Sequence, residues 1–197
     1  NGYKVYWGDG AQMPPESVVG ITDVLPDTTY EESLPMDEQE ALDRGLLTYI
    51  GKDVDDAYMA AIMKLAVNPE LTREMGETLK IVYTPLHGSG NIPVRRILAE
   101  IGIENVYIVK EQELPDPNFS TIKVPNPEDP AAFAMAMKLA DEVGADCIFG
   151  TDPDCDRVGV AVRVADGRYW YPTGNQIGIL LCQFLCANRD LPEDPVM

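Results

Sequence analysis

The sequence is short of positive charge. Its 197 residues carry 15 Lys and Arg against 33 Asp and Glu, a formal charge of −18 at pH 7, and the basic residues nowhere form a run. Nucleic acids and anionic membrane surfaces are held by clustered Lys and Arg, so both kinds of partner are disfavoured. Long apolar runs are missing as well. The longest, Ile177 to Ala187, is broken by Gln183 and falls short of the roughly 20 residues that a membrane-spanning helix needs. Histidine occurs once, as His87, which excludes H-E-x-x-H and Cys2His2 zinc sites and leaves carboxylates, Lys or Tyr as any further acid or base. Cys147, Cys155, Cys182 and Cys186 form no C-x-x-C pair. In a chain this long they do not make a disulfide framework, and a reducing, cytoplasmic setting fits them.

With 45% hydrophobic and 24% charged residues the chain can build a core, and its length suits one or two domains. It opens on Asn-Gly-Tyr, without a signal-peptide pattern, and stops soon after an apolar helical pattern, so an excerpt of a longer protein is expected. Tyr3 to Trp7 reads as a short strand, Ser17 to Leu25 as a helix, and residues 26–40 as an acidic, proline-punctuated connection. From Asp53, apolar residues at Val54, Ala57, Tyr58, Ala61, Ile62 and Leu65 follow helical spacing, up to Asn68-Pro69.

From Leu79 to Val164 strand and helix signals alternate. Strands are expected at Lys80–Thr84, Val106–Val109, Cys147–Phe149 and Val158–Val164, with helices at Pro93–Ile101 and Pro130–Val143, each stopped by a glycine. Such alternation means a layered α/β domain. Tyr169-Trp-Tyr171 and a helical pattern over Asn175–Ala187 would open a further unit.

Between the last two strands of that section runs Gly150-Thr-Asp-Pro-Asp-Cys-Asp-Arg-Val-Gly159, which puts Asp152, Asp154 and Asp156 at alternate positions. Three carboxylates so close repel one another, and a hard divalent cation with oxygen ligands, Mg2+ above all, is the usual remedy. Three negative charges, two positive charges from the ion and one from Arg157 leave the loop neutral and able to accept a phosphate oxygen. The bland alternative is an Asp-rich turn. The loop's place after a strand favours a ligand site, because open α/β sheets bind ligands beyond the carboxyl ends of their strands. A calcium EF-hand is excluded, since its Gly and Glu positions hold Arg157 and Arg163. An aspartyl-nucleophile phosphatase remains open, although the D-x-D-x-[TV] pattern wants Thr or Val where Asp156 stands. A non-catalytic metal-binding α/β module is the third reading.

A second strand-to-helix loop, Thr84-Pro-Leu-His-Gly-Ser-Gly-Asn91, could bring backbone N–H groups to a phosphate. It is neither a P-loop, which needs Lys-[Ser/Thr], nor G-x-G-x-x-G, because Pro93 occupies the third glycine's place. His87 taken alone reads more readily as a loop-fixing hydrogen bonder than as a catalytic group, and Arg95 and Arg96 as a solvated helix face rather than an anion site.

Taken together, Thr151-Asp-Pro-Asp-Cys-Asp-Arg157 with Val-Gly-Val-Ala-Val162, Tyr83-Thr-Pro-Leu-His-Gly-Ser-Gly90, Val124-Pro-Asn-Pro-Glu-Asp129, Thr173-Gly-Asn-Gln-Ile-Gly178 and the Asn1-Gly-Tyr-Lys4 start resemble the α-D-phosphohexomutases. This is the phosphoglucomutase/phosphomannomutase family, and the T-P-L-H-G-S-G loop with the N-G-Y-K-V-Y-W start is most similar to its phosphoglucomutase and phosphopentomutase branch. The resemblance implies a three-layer α/β/α fold with a mixed sheet. Residues 1–50 would be the remnant of a first domain, 51–170 a complete second domain and 171–197 the start of a third, with the remaining domains of the parent chain as partners.

It also implies Mg2+ on Asp152, Asp154 and Asp156, Arg157 at the metal loop and cleft, Lys4 as general acid/base, and His87 among the groups that meet an anionic phosphosugar. The implied reaction moves phosphate between C1 and C6, or C1 and C5, of a sugar through a phosphoserine enzyme and a bisphosphate, with a glucose 1,6-bisphosphate-type activator. Because the phosphoserine segment would precede Asn1, the chain by itself is expected to be inactive.

Overall fold

The structure, a computed structural model, describes residues 5–29 and 35–189. The chain divides into two compact units at Gly51/Lys52. In the first, the backbone turns back on itself through Gly10 at φ +84°, and Tyr6 and Gln12 form an isolated antiparallel bridge. The expected strand from Tyr3 is thus reduced to that bridge, its first residues lying outside those described. Helix α1 spans Pro15–Thr22, with Pro at its first position where no N–H bond is lost, and α2 spans Glu38–Asp43 with Asp37 accepting from the Gln39 and Glu40 N–H groups. Residues 26–40 therefore end inside a helix rather than serving wholly as a connection. None of the described residues of this unit is buried.

The second unit holds the core. Helix α3 spans Lys52–Met63, with acidic residues in its first turn, where the helix dipole favours them. Asn68 sits in the left-handed region (φ +52°) and starts α4, Pro69–Gly76, so Asn68-Pro69 begins a new helix as well as ending the previous one. Then come β1 (Lys80–Thr84), α5 (Asn91–Glu100), β2 (Asn105–Ile108), α6 (Ala134–Val143), β3 (Cys147–Thr151), β4 (Val158–Arg163), β5 (Tyr169–Trp170) and α7 (Gly174–Asn188).

The strands form one mixed sheet of order β2-β1-β3-β4-β5. β1 pairs in parallel with β2 and β3, whereas β3–β4 and β4–β5 are antiparallel. Tyr169 and Trp170 therefore extend this sheet instead of opening a further unit, with Trp170 opposite Val162.

Alternation along the strands divides the core between two faces. Val82 and Ile148, paired in register, join Ala161, Phe133 and the alanines 136 and 140 of α6 on one side. Ile81, Cys147 and Phe149 go with Leu98 and Val94 of α5, and with Ile103, on the other. Ala132, Ala136, Ala140 and Ala145 are all at 2% exposure or below, and their small side chains let helix backbone lie close against the sheet. Each fully buried Val or Ile contributes roughly 1.5–3 kcal/mol. The result is the expected three-layer α/β/α arrangement: helix, mixed sheet, helix.

β1, β2 and β3 run the same way, so the loops after them (residues 85–90, 109–122 and 152–157) leave the same end of the sheet side by side.

Candidate metal centre

The sequence from Asp152 to Arg157 is a tight hairpin connection between antiparallel β3 and β4. Cys155 N–H donates to Asp152 C=O at 3.0 Å and Cys155 takes φ +60°, which closes the turn. Arg157 N–H donates to Asp152 Oδ1 at 3.0 Å. The turn brings one carboxylate oxygen each from Asp152, Asp154 and Asp156 within 4.8 Å of one another. Asp152 is buried, and the other two are open to solvent.

Burial, and then the charges of Asp154 and Asp156, push the Asp152 carboxyl above the ordinary carboxylate range, against the pull of the Arg157 N–H. The Arg157 guanidinium is 3.9 Å from Asp152 Oδ2 and half exposed, so it compensates little of this charge at that distance in water. An oxygen-only, triply anionic cluster of this size suits a hard dication such as Mg2+.

His87 is placed differently. Leu86 and His87 both have positive φ, 46° and 64°, because β1 must turn abruptly there. Nδ1 of His87 lies 2.8 Å from Leu114 C=O, Nε2 lies 2.7 Å from Thr121 Oγ1, and the residue is 7% exposed. Both ring nitrogens are engaged by the neighbouring 109–122 loop, so contact with a substrate would require these bonds to break. Lys4 lies outside the described residues. Arg95 pairs with Glu113, and Arg96 with Asp56 and Glu100, as a helix surface would.

Beneath His87 lies a buried polar network with no clear signal in the sequence. Gln112, 1% exposed, accepts from Thr84 Oγ1 at 2.7 Å, donates from Nε2 to Thr121 Oγ1 at 3.3 Å, and receives the His87 N–H on its backbone carbonyl at 2.9 Å. It thereby ties the loops after β1 and β2 together. Gln112→Leu keeps the volume but leaves the Thr84 hydroxyl without its acceptor. We expect a loss of about 2–3 kcal/mol, read from the urea midpoint at pH 7; an unshifted midpoint would remove the network from the account.

The sequence reading also missed two close approaches. Tyr83 Oη and Thr151 Oγ1 are 2.8 Å apart beside the carboxylate loop, and burial raises the Tyr83 hydroxyl to about 12, so it is a fixed, neutral hydrogen-bonding group. Gly150 and Gly159, paired across β3 and β4, leave the space that the Phe133 ring edge fills.

With this geometry in view, comparison with known proteins decides the family. Residues 56–166 match the family model described as phosphoglucomutase/phosphomannomutase, alpha/beta/alpha domain II, and this is more than half the chain. The chain belongs to the phosphoglucomutase/phosphomannomutase family. Among curated relatives, a phosphoglucomutase of Staphylococcus saprophyticus is 33% identical over 197 residues, covering 98% of this chain and 34% of that protein. A phosphoglucomutase of Staphylococcus aureus is 35% identical over 187 residues, covering 93% of this chain and 32% of its own length. The chain thus spans about a third of the curated relatives it matches. A crystal structure from Thermus thermophilus, described as that of an inferred phosphomannomutase, superposes with a TM-score of 0.63 at 20% identity over 91% of this chain and 37% of that one, a likeness of fold.

Proposed function

We propose that this chain is the dication-holding part of a phosphosugar mutase, with residues 51–170 as its second domain, 1–50 and 171–197 belonging to flanking domains, and the remaining domains of the parent chain as partners. The observation that carries the reading is the convergence of three carboxylates, one of them buried, within 4.8 Å at the end of the mixed sheet where β1, β2 and β3 exit. Arg157 stands 3.9 Å from Asp152 Oδ2, at the rim of this cluster.

In this reading Asp152, Asp154 and Asp156 would hold Mg2+, which together with Arg157 would balance the three carboxylates and would supply the positive charge that polarises a phosphoryl oxygen. Arg157, half exposed at the rim, reaches toward the phosphate of the incoming sugar. Lys4 serves as the general acid/base. The reaction is transfer of phosphate between C1 and C6, or C1 and C5, by way of a phosphoserine and a bisphosphate, with a glucose 1,6-bisphosphate-type activator and in a cytoplasmic setting. His87 enters this scheme as the pin that fixes the adjoining loop.

Two measurements test it. Titration with Mn2+ as a paramagnetic stand-in for Mg2+ should show one site of millimolar affinity or better, displaced by excess Mg2+; absence of uptake would remove the metal-centre reading. Incubation of the chain with glucose 1-phosphate and glucose 1,6-bisphosphate should give no glucose 6-phosphate, and robust turnover would overturn its being one part of the catalytic unit.

A further inference from the structure

The metal loop alternates in two ways at once. Asp152, Asp154 and Asp156 cluster their carboxylates, while the two residues between them, Pro153 and Cys155, are held from the other side by the turn Gly88-Ser89-Gly90. Ser89 donates twice to the Pro153 carbonyl, from its backbone N–H at 2.9 Å and from its hydroxyl at 3.1 Å.

Gly88 lies so near that a Cβ would fall 2.6 Å from Pro153 Cα, and a Cβ on Gly90 would fall 2.7 Å from Cys155 Sγ and from Tyr83 Oη, and 2.8 Å from Thr151 Oγ1. The two glycines are required here for approach; neither carries a positive φ. Exposure follows the same alternation: Pro153 and Cys155 are partly buried, Asp154 and Asp156 exposed.

We propose that Ser89 is a positioning residue, and that the Gly88-Ser89-Gly90 turn is a template holding the carboxylate loop in its cation-ready shape; this rests on the reading of the triad as a dication site. The physical reason is repulsion. Three clustered carboxylates without an ion favour a splayed loop, and any reordering on binding subtracts from affinity. Anchoring the intervening backbone at Pro153 keeps the carboxylates together before the ion arrives, as outer-shell partners do for metal ligands elsewhere. Ser89 acts on the loop through the Pro153 carbonyl. It is itself exposed, so its hydroxyl adds little to global stability.

The test compares wild type, Ser89→Ala, Ser89→Thr and Gly90→Ala, all as the full 197-residue chain. Mn2+ affinity is read by electron paramagnetic resonance of the free ion, and metal-free thermal midpoints are measured alongside. Ser89→Ala is expected to weaken Mn2+ binding roughly three- to tenfold with an unchanged metal-free midpoint, and Ser89→Thr, which keeps the hydroxyl, to bind as wild type does. Gly90→Ala should weaken binding further by pressing on Cys155.

If wild type takes up Mn2+ and Ser89→Ala binds equally well, the template is overturned while the metal centre stands. Equal weakening in Ser89→Thr and Ser89→Ala would overturn the role of the hydroxyl. If wild type takes up no Mn2+ at millimolar concentration, the metal-centre reading fails and the template falls with it.

Discussion

Asp152→Asn is expected to abolish dication uptake and, in the metal-free chain, to raise the melting temperature. The two effects have one origin. Asp152 is the buried member of the triad, and its carboxyl is held above the ordinary range first by burial and then by Asp154 and Asp156. Asparagine keeps an oxygen for the Arg157 N–H while removing the charge that the site tolerates least without an ion. Affinity should fall by at least a hundredfold in the Mn2+ titration, because a hard cation loses a charged oxygen ligand.

The pH dependence has a defined sign. A carboxyl titrating higher in the folded than in the unfolded state makes the native chain bind the extra proton, so its contribution to stability rises as pH falls through the folded pKa and is lost as pH rises. Asp56, Glu113, Asp116 and Asp166, whose carboxyls are lowered by hydrogen bonds to Lys52 and Arg96, Lys110, the Ser120 and Asn118 N–H groups, and Arg168 respectively, act in the opposite direction. The informative quantity is therefore the difference between variant and wild type. Its advantage in melting temperature should be largest at pH 7 and should shrink as pH falls toward ~4. A variant that melts below wild type at pH 7, with metal removed, would show that the carboxylate is compensated in the native chain.

Much of this site was legible before any coordinates. D-P-D-C-D has the period of a turn that can present alternate residues together, and its place after an apolar strand located it at the end of the sheet where β1, β2 and β3 exit. Strand and helix assignments from Lys80 to Arg163 followed from alternation and glycine stops, because each apolar residue there belongs to one of two faces of a single sheet. The assignments that slipped depend on partners far away in sequence. Tyr169 and Trp170 look like the start of something new until β4 is seen to need an edge strand. His87, by contrast, already reads from its loop more readily as a fixing hydrogen bonder, and the 109–122 loop meets both its ring nitrogens. Gln112, a polar residue in a proline-punctuated acidic stretch, gives no sign that it will be 1% exposed. The glycines of Gly88-Ser89-Gly90 suggested a phosphate-cradling loop, whereas their close neighbours are Pro153, Cys155 and Thr151 around the carboxylate loop, with Pro85 and Tyr83 of their own segment.

Gly159→Ala is expected to be the most destabilising single-methyl change near the site, and the reason again lies between distant segments. A Cβ at Gly159 would fall 2.0 Å from the Pro127 carbonyl oxygen and 3.0 Å from Cζ of Phe133. Neither neighbour can yield cheaply. Pro127 sits in a turn fixed by Asn126 N–H to Val124 C=O, Asp129 N–H to Asn126 C=O and Glu128 N–H to Asn126 Oδ1, and Phe133 is 1% exposed between Gly150 and Tyr171. The strand must move instead, at a cost of about 3 kcal/mol, or roughly 6–12 °C in melting temperature for a unit of this size.

Gly178→Ala is the natural control. That glycine lies within α7 with no atom close to a Cβ, so the same substitution should stabilise by about 0.5–1 kcal/mol through helix propensity. Because Gly159 pairs with Gly150 at the neck of the metal hairpin, its displacement should also weaken Mn2+ binding. Gly159→Ala and Asp152→Asn would then both lose affinity while moving the metal-free melting temperature in opposite directions, which separates a ligand from the scaffold that carries it. Were Gly159→Ala to melt with wild type, the close packing of the Pro127 turn on β4 would be refuted, and with it the proposition that this turn sets the position of the carboxylate loop.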